Sequence, residues 1–164
     1  MTHRPRGLLD FLASVIPVLW VGLVVGVSFI ATPAKFQAGP LDGALSLAIS
    51  VVTFAWLHAA EAVLAALLAV VLLALRARAL LWVLFVAAVL CLILQAGWIL
   101  PGFQGDPGYL PQMPVLDFGQ LHAAFAVTEC LKIVALFGLA FMAFRGASGL
   151  HVDGASAGTS SGAR

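Results

Sequence analysis

Charged residues are scarce in this sequence. Only 9% of its 164 residues are Asp, Glu, Lys or Arg, whereas an ordinary soluble domain carries about 25%. Hydrophobic residues make up 63% of the chain, which leaves too little polar material to cover a water-facing surface or to keep a chain unfolded. A soluble monomer and a disordered chain are therefore excluded. The formal net charge of +1 also argues against nucleic acid as a partner.

Cysteine is also rare in this sequence, and a phosphate-binding motif is absent from it. The two cysteines, Cys91 and Cys130, do not form a Cys-x-x-Cys pair, so neither a disulfide framework nor a dithiol redox centre is expected. The glycines occur without a Gly-Lys-Ser/Thr signature, which excludes a phosphate-binding loop of that type.

Long apolar runs are what the sequence has in abundance. A membrane-spanning helix needs about 20 mostly apolar residues, and four segments satisfy this requirement. The predicted transmembrane helices cover residues 8–32, 51–75, 79–100 and 118–144. The sequence thus predicts an all-α polytopic membrane protein, a compact four-helix bundle in the lipid bilayer. Residues 41–50 are predicted as an interfacial turn or helix, and residues 147–164 as a disordered cytoplasmic tail.

Arginine and lysine in the short loops predict the orientation. In a four-crossing arrangement six arginines fall on one side of the membrane, and Lys35 alone falls on the other. These arginines are Arg4, Arg6, Arg76, Arg78, Arg145 and Arg164. The bias predicts a multi-pass protein of a bacterial inner (plasma) membrane with both termini in the cytoplasm.

A weak internal repeat joins the second and fourth predicted helices. Residues 57–67 and 121–131 match at seven of eleven positions, and His58 aligns with His122. Each segment follows a turn that contains proline, Pro33 or Pro101. This pattern favours two parallel helical hairpins related by an axis along the membrane normal. A chance match is the alternative, because alanine and leucine are so frequent here.

Small residues recur at helical spacing in the first two helices. Gly22 and Gly26 form a Gly-x-x-x-Gly pair, a pattern that allows close approach of helices. An alanine stripe follows the second helix at Ala55, Ala59, Ala62, Ala66 and Ala69. We expect both to pack inside the bundle, and the alternative is a face for a homo-oligomer or a partner in a membrane complex.

Several ionisable side chains lie inside the apolar segments. Each costs about 2.5–3.5 kcal/mol on insertion scales, so each needs a partner or a purpose. By helical rise they fall in the outer half of the membrane or at its midplane, which predicts a polar cavity open to the outside. The predicted site consists of Lys35, His58, Glu61, Gln95, His122, Glu129 and Lys132.

The residue types in this site leave several chemistries open. A transition metal ligated by His58, Glu61, His122 and Glu129 is one hypothesis, and haem between the two histidines is a variant of it. Proton relay coupled to the movement of a small ligand is the second. An acid–base enzyme with Glu129 as base and a lipid-soluble substrate is the third. A non-catalytic accessory or assembly subunit, in which Lys132 merely neutralises a glutamate, is the alternative from another class.

Three short motifs carry a family resemblance. They are the Ala-Thr-Pro-x-Lys-Phe turn that ends in Lys35 and Phe36, the Gln95-x-x-Trp98-x-x-Pro101 segment, and His122 followed by Glu129-x-x-Lys132. With them the chain resembles an uncharacterised bacterial family of small four-helix inner-membrane proteins. The resemblance implies four crossings and importance of the same polar residues, and it implies no particular activity.

Overall fold

Four long helices account for the fold. The computed structural model describes the backbone of residues 4–35, 37, 42–104 and 116–155, with side chains between 6 and 146. Helix α1 is α-helical over Arg4–Val24, π-helical over Val25–Ala31 and α-helical again over Thr32–Lys35. Helix α2 covers Gly43–Leu75, and helix α4 covers Phe118–Ala155. Helix α3 consists of an α-helical part Ala79–Leu94, a π-helical segment Gln95–Ile99 and a last α-helical turn Leu100–Gly102. All four are long and apolar enough to cross a membrane, so the predicted four-helix transmembrane fold is confirmed.

All four helices extend beyond their predicted bounds, α2 and α4 by the most. Helix α2 runs without interruption from Gly43, so residues 43–50 belong to it and do not form a separate interfacial element. No proline interrupts this stretch, and the Ser50 hydroxyl bonds to the Ser46 carbonyl within the helix. Helix α4 continues to Ala155, into the segment predicted to be disordered. The predicted tail beyond it lies outside the described residues.

A tight turn joins α2 to α3. Arg76 adopts a left-handed conformation with φ of 50°, and its N–H bonds to the carbonyls of Leu72 and Leu73. The N–H of Ala77 also bonds to the Leu72 carbonyl. These bonds satisfy carbonyls that the helix end would otherwise leave free, and α3 begins at Ala79.

Helix α1 packs against α2 and α4, and α3 packs against α4. We call the end of the bundle that holds Lys35, Gly43, Gly102 and Phe118 the Lys35 end. The opposite end, which holds Arg6, Arg76 and Arg145, is the Arg76 end. The buried apolar residues of the interior form two separate layers.

The layers differ in size. The main core lies toward the Arg76 end, takes residues from all four helices and includes Val24, Leu68, Leu72, Ala88, Leu136 and Leu139. The second layer lies toward the Lys35 end, and we call it the cap; its buried members are Ile99, Leu121 and Phe125, with Phe54, Trp98 and Phe103 packed against them. On α2, α3 and α4 the buried residues His58, Glu61, Gln95, Glu129 and Lys132 lie between the core and the cap along the helix.

Two π-helical segments occupy corresponding places in α1 and α3. A proline in a helix lacks an N–H and its ring displaces the carbonyl four residues earlier. In α1 the N–H of Thr32 bonds to the carbonyl of Val27, and in α3 the N–H of Leu100 bonds to that of Gln95. The prolines that follow are Pro33 and Pro101. The correspondence agrees with the hairpin interpretation, which stays a prediction.

Most residues of the small-residue patterns do not pack inside the bundle, although Ala69 packs against the main core. A Cβ atom added at Gly22 or Gly26 would meet no atom within 4 Å. The alanines at 55, 59, 62 and 66 are exposed on α2. The expectation of internal packing is wrong for these positions, because the inner face of α2 is formed by larger residues such as Leu57, Glu61 and Leu68.

Candidate functional site

The ammonium group of Lys132 is the centre of a polar cluster in the bundle interior. Its Nζ lies 2.6 Å from Glu61 Oε1 and 3.0 Å from Glu129 Oε2. It also donates to Gln95 Oε1 at 2.6 Å. An ammonium has three N–H donors, so all three of its donors have a protein oxygen within reach. We call these four residues the Lys132 cluster.

Helix α1 supplies a neutral hydrogen-bond donor to each of the two carboxylates. The indole Nε1 of Trp20 donates to Glu61 Oε1 at 2.8 Å, and the hydroxyl of Ser28 donates to Glu129 Oε1 at 2.8 Å. Ser28 belongs to the π-helical segment of α1. Each helix therefore contributes at least one polar group to the connected hydrogen bonds and ion pairs of the interior.

Gln95 is held on both sides of its amide. While its oxygen accepts from Lys132, its Nε2 donates to Thr128 Oγ1 at 3.0 Å. The Thr128 hydroxyl is directed by its own bond to the Ala124 carbonyl. Gln95 is the first residue of the π-helical segment of α3, so both π-helical segments supply the cluster.

The cluster is closed to the surroundings. Glu61, Gln95 and Lys132 are 0% exposed, and Glu129 is 1% exposed. The predicted cavity open to the outside is therefore absent at these four side chains. The physical reason is the cap, whose Ile99, Leu121 and Phe125 side chains fill the interior toward the Lys35 end.

Two residues of the predicted site lie elsewhere. Lys35 is at the end of α1 and donates to the Ser46 carbonyl at 3.2 Å and to the Ser50 hydroxyl. His122 is exposed on the first turns of α4. The predicted site included His122, but Leu121 turns inward at that level and His122 faces outward.

His58 lies within the bundle and next to the cluster along α2. It is 5% exposed, and neither ring nitrogen has a hydrogen-bond partner among the described residues. Three residues separate it from Glu61, so the two share one face of the helix. Glu61 Oε2 and Glu129 Oε2 also have no hydrogen-bond partner there, although Glu129 Oε2 lies 3.0 Å from Lys132 Nζ. Buried polar atoms are normally paired, which makes His58 and Glu61 the least satisfied residues of the site.

The arrangement does not assemble the predicted metal or haem site. Among the described residues no group of three or more His, Cys, Asp or Glu side chains could hold a metal ion. His122 is exposed, so it is not available beside His58, Glu61 and Glu129. The ammonium of Lys132 also occupies the position between the two carboxylates that a cation would take.

Comparison with known proteins identifies no relative of this chain. No protein-family model, curated protein or solved structure matches the chain.

Sequence reasoning missed two members of the site, Trp20 and Thr128. Tryptophan in membrane proteins is enriched at the two interfaces, yet Trp20 is 14 residues beyond Arg6, about 21 Å along the helix. That central position is a signal that it meets a polar partner. Thr128 carries no comparable signal, because threonine in a membrane helix normally bonds to its own backbone.

Proposed function

We propose that this protein binds and releases a proton at the Lys132 cluster, within the membrane, as part of a step that moves protons or a small ligand. The observation that carries the proposal is that two fully buried carboxylates, those of Glu61 and Glu129, contact one ammonium group. Intramembrane ionisable residues facing a bundle interior are typical of proton pathways.

A charge count supports a proton at this site. With Lys132 charged and both glutamates ionised, the closed cluster would hold one negative charge in excess. An uncompensated buried charge costs several kcal/mol, and one proton removes it. Glu61 Oε2, which has no hydrogen-bond partner among the described residues, is the atom where that proton is best accommodated.

Protonation has a structural consequence that suits coupling. Glu61 lies on α2, and Lys132 and Glu129 lie on α4. A proton on Glu61 weakens the attraction between α2 and α4, and its loss restores that attraction. The two protonation states thus favour different contacts between two helices, which is the requirement for linking a proton to movement.

Infrared spectroscopy of the purified protein in nanodiscs tests the stored proton. We expect an infrared band from a protonated carboxylic acid, and this band should shift in D2O. Glu61→Gln should remove the band, or Glu129→Gln should alter it. Asp117→Asn, at an exposed carboxylate, is the matched control and leaves the band unchanged. Absence of any band sensitive to the two glutamates would refute the proposal. Proton entry into proteoliposomes that contain a pH-sensitive dye then tests movement.

An accessory or assembly subunit is the second candidate. The observation in its favour is the outward position of the alanine stripe on α2, because small residues let helices approach closely. A homo-oligomer would give a disulfide-linked dimer from Ala62→Cys, in a chain with both native cysteines replaced by alanine. The exposed Leu67→Cys on the same helix is the control.

The acid–base enzyme has no comparable support. Glu129 accepts from Ser28 through one oxygen and contacts Lys132 through the other, so neither oxygen is directed at a substrate. We also propose that the protein lies in a bacterial inner membrane with both termini in the cytoplasm. We further propose that it is related to the family of small four-helix proteins that its sequence resembles. The arginine-rich Arg76 end and the participation of Gln95 in the cluster favour them.

A further inference from the structure

The Lys132 cluster is separated unequally from the two ends of the bundle. Toward the Arg76 end lies the main core, with buried residues from all four helices. Toward the Lys35 end the described residues form one smaller apolar layer, the cap, with Ile99, Leu121 and Phe125 as its buried members. Among the described residues, the thinner apolar layer therefore lies between the cluster and the Lys35 end.

A line of polar residues on α2 leads from that end toward the cluster. Ser46, Ser50, His58 and Glu61 share one helix face, since their positions follow steps of three or four with Phe54 between the serines and the histidine. Lys35 bonds to the first two. Ser46, His58 and Glu61 are buried, so this face points into the bundle.

One aromatic pair interrupts the line. The ring centroids of Phe54 and Phe125 are 4.8 Å apart with an interplanar angle of 57°, and the Phe125 ring lies 6.3 Å from the His58 ring. Phe54 is half-buried and Phe125 is buried. The pair thus stands between the serines near Lys35 and the histidine.

We infer that His58 is the residue through which protons pass between the Lys35 end and the Lys132 cluster, and that the Phe54–Phe125 ring pair is the seal on this route. The inference rests on the proposed function, because it supplies the path to the proposed proton site. The histidine has the chemistry for the task, since an imidazole can accept a proton at one nitrogen and release one from the other.

Among the described residues, no other buried imidazole or carboxyl group lies outside the Lys132 cluster. The charged groups along the path are Lys35 at its outer end and Glu61, Glu129 and Lys132 in the cluster, and α3 adds the buried thiol of Cys91. Helices α1 and α3 contribute the neutral groups of Trp20, Ser28 and Gln95. A proton that enters from the Lys35 end therefore meets His58 before it meets a carboxylate.

Thiol accessibility tests the seal without reference to protons. In a chain with Cys91→Ala and Cys130→Ala, reconstituted in liposomes, we expect a membrane-impermeant maleimide to label Ser50→Cys readily and His58→Cys slowly. Adding Phe54→Ala should accelerate labelling of His58→Cys about tenfold, as a lower cost of local opening predicts. Phe54→Leu, which keeps more apolar volume, should give a smaller acceleration.

The matched control is Phe85→Ala, which removes a buried ring from the main core on the opposite side of the cluster. It should leave the labelling of His58→Cys from the Lys35 end unchanged. Equal acceleration by Phe85→Ala, or labelling that does not depend on Phe54, would overturn the seal.

Deuterium exchange of the protonated-carboxyl band tests the histidine. After transfer to D2O we expect His58→Gln to slow the band shift about tenfold at unchanged band intensity, and Phe54→Ala to accelerate it. Exchange that is as fast in His58→Gln as in the native chain would overturn the role of His58. If labelling depends on Phe54 but the carboxyl band is missing, the proposed stored proton is refuted and the seal is not. The failure of the proposed function can therefore be distinguished from the failure of this inference.

Discussion

Replacing Lys132 by methionine is the sharpest test of the charge arrangement in the bundle. Methionine is unbranched and one atom shorter than lysine, and with it Glu61, Glu129 and Gln95 lose the ammonium that lies within 3.0 Å of each. Removing one partner of a buried ion pair costs about 3–5 kcal/mol. The stability loss should fall in this range if at least one carboxylate remains ionised.

Thermal unfolding in detergent, followed by the loss of helical circular dichroism, measures the effect. For a chain of this size each kcal/mol shifts the midpoint by about 2–4 °C, so we expect Lys132→Met to lower it by about 6–20 °C. Arg78→Met is the matched control, because Arg78 is an exposed cation at the start of α3 and should shift the midpoint little.

A triple variant separates charge from packing. Lys132→Met with Glu61→Gln and Glu129→Gln leaves no charge in the interior, so most of the lost stability should return. If Lys132→Met unfolds at the native temperature, the carboxylates do not need the ammonium and the charge count is refuted. If the triple variant is no more stable than Lys132→Met, the loss comes from shape and hydrogen bonding.

Three further changes have distinct expected outcomes. Trp20→Phe removes a hydrogen bond to the buried Glu61 carboxyl group and, with the proton on Glu61, should cost about 0.5–1.5 kcal/mol, whereas Trp82→Phe should cost less; equal midpoints in thermal unfolding would contradict this. Arg76→Gly relieves a left-handed backbone and should raise stability by about 1 kcal/mol, and a lower midpoint would count against it. In whole cells, Tyr109→Cys should react with an impermeant thiol reagent and Ala77→Cys should not; the reverse pattern would overturn the predicted orientation.

The fold was predictable because the constraint that decides it is local. Whether a segment spans a membrane depends on the length of its apolar run, and that can be read at every position. The ends of the helices were less predictable, since residues 43–50 and the chain beyond Phe144 mix polar with apolar residues. Which face of α2 turns inward depends on the neighbouring helices, and this is why its alanines were misplaced.

The site was predictable in part for a related reason. A charged residue in an apolar segment is visible in the sequence, and Glu61, Glu129 and Lys132 do meet in the structure. The partner that each one takes depends on helix rotation and depth, which sequence spacing does not fix. His122 is exposed because α4 turns Leu121 inward at that level, and Trp20 joins the site because α1 presents its indole to α2.

A purely structural account of the cluster explains one carboxylate and leaves the other without a purpose. A single buried pair between Glu61 and Lys132 would suffice to fix how α2 faces α4, and well-packed apolar residues would often stabilise the bundle as well. The second carboxylate, Glu129, adds a negative charge that a closed interior must compensate. The compensation that the chemistry of the site offers is a proton, and the excess carboxylate is therefore the feature that favours function over architecture.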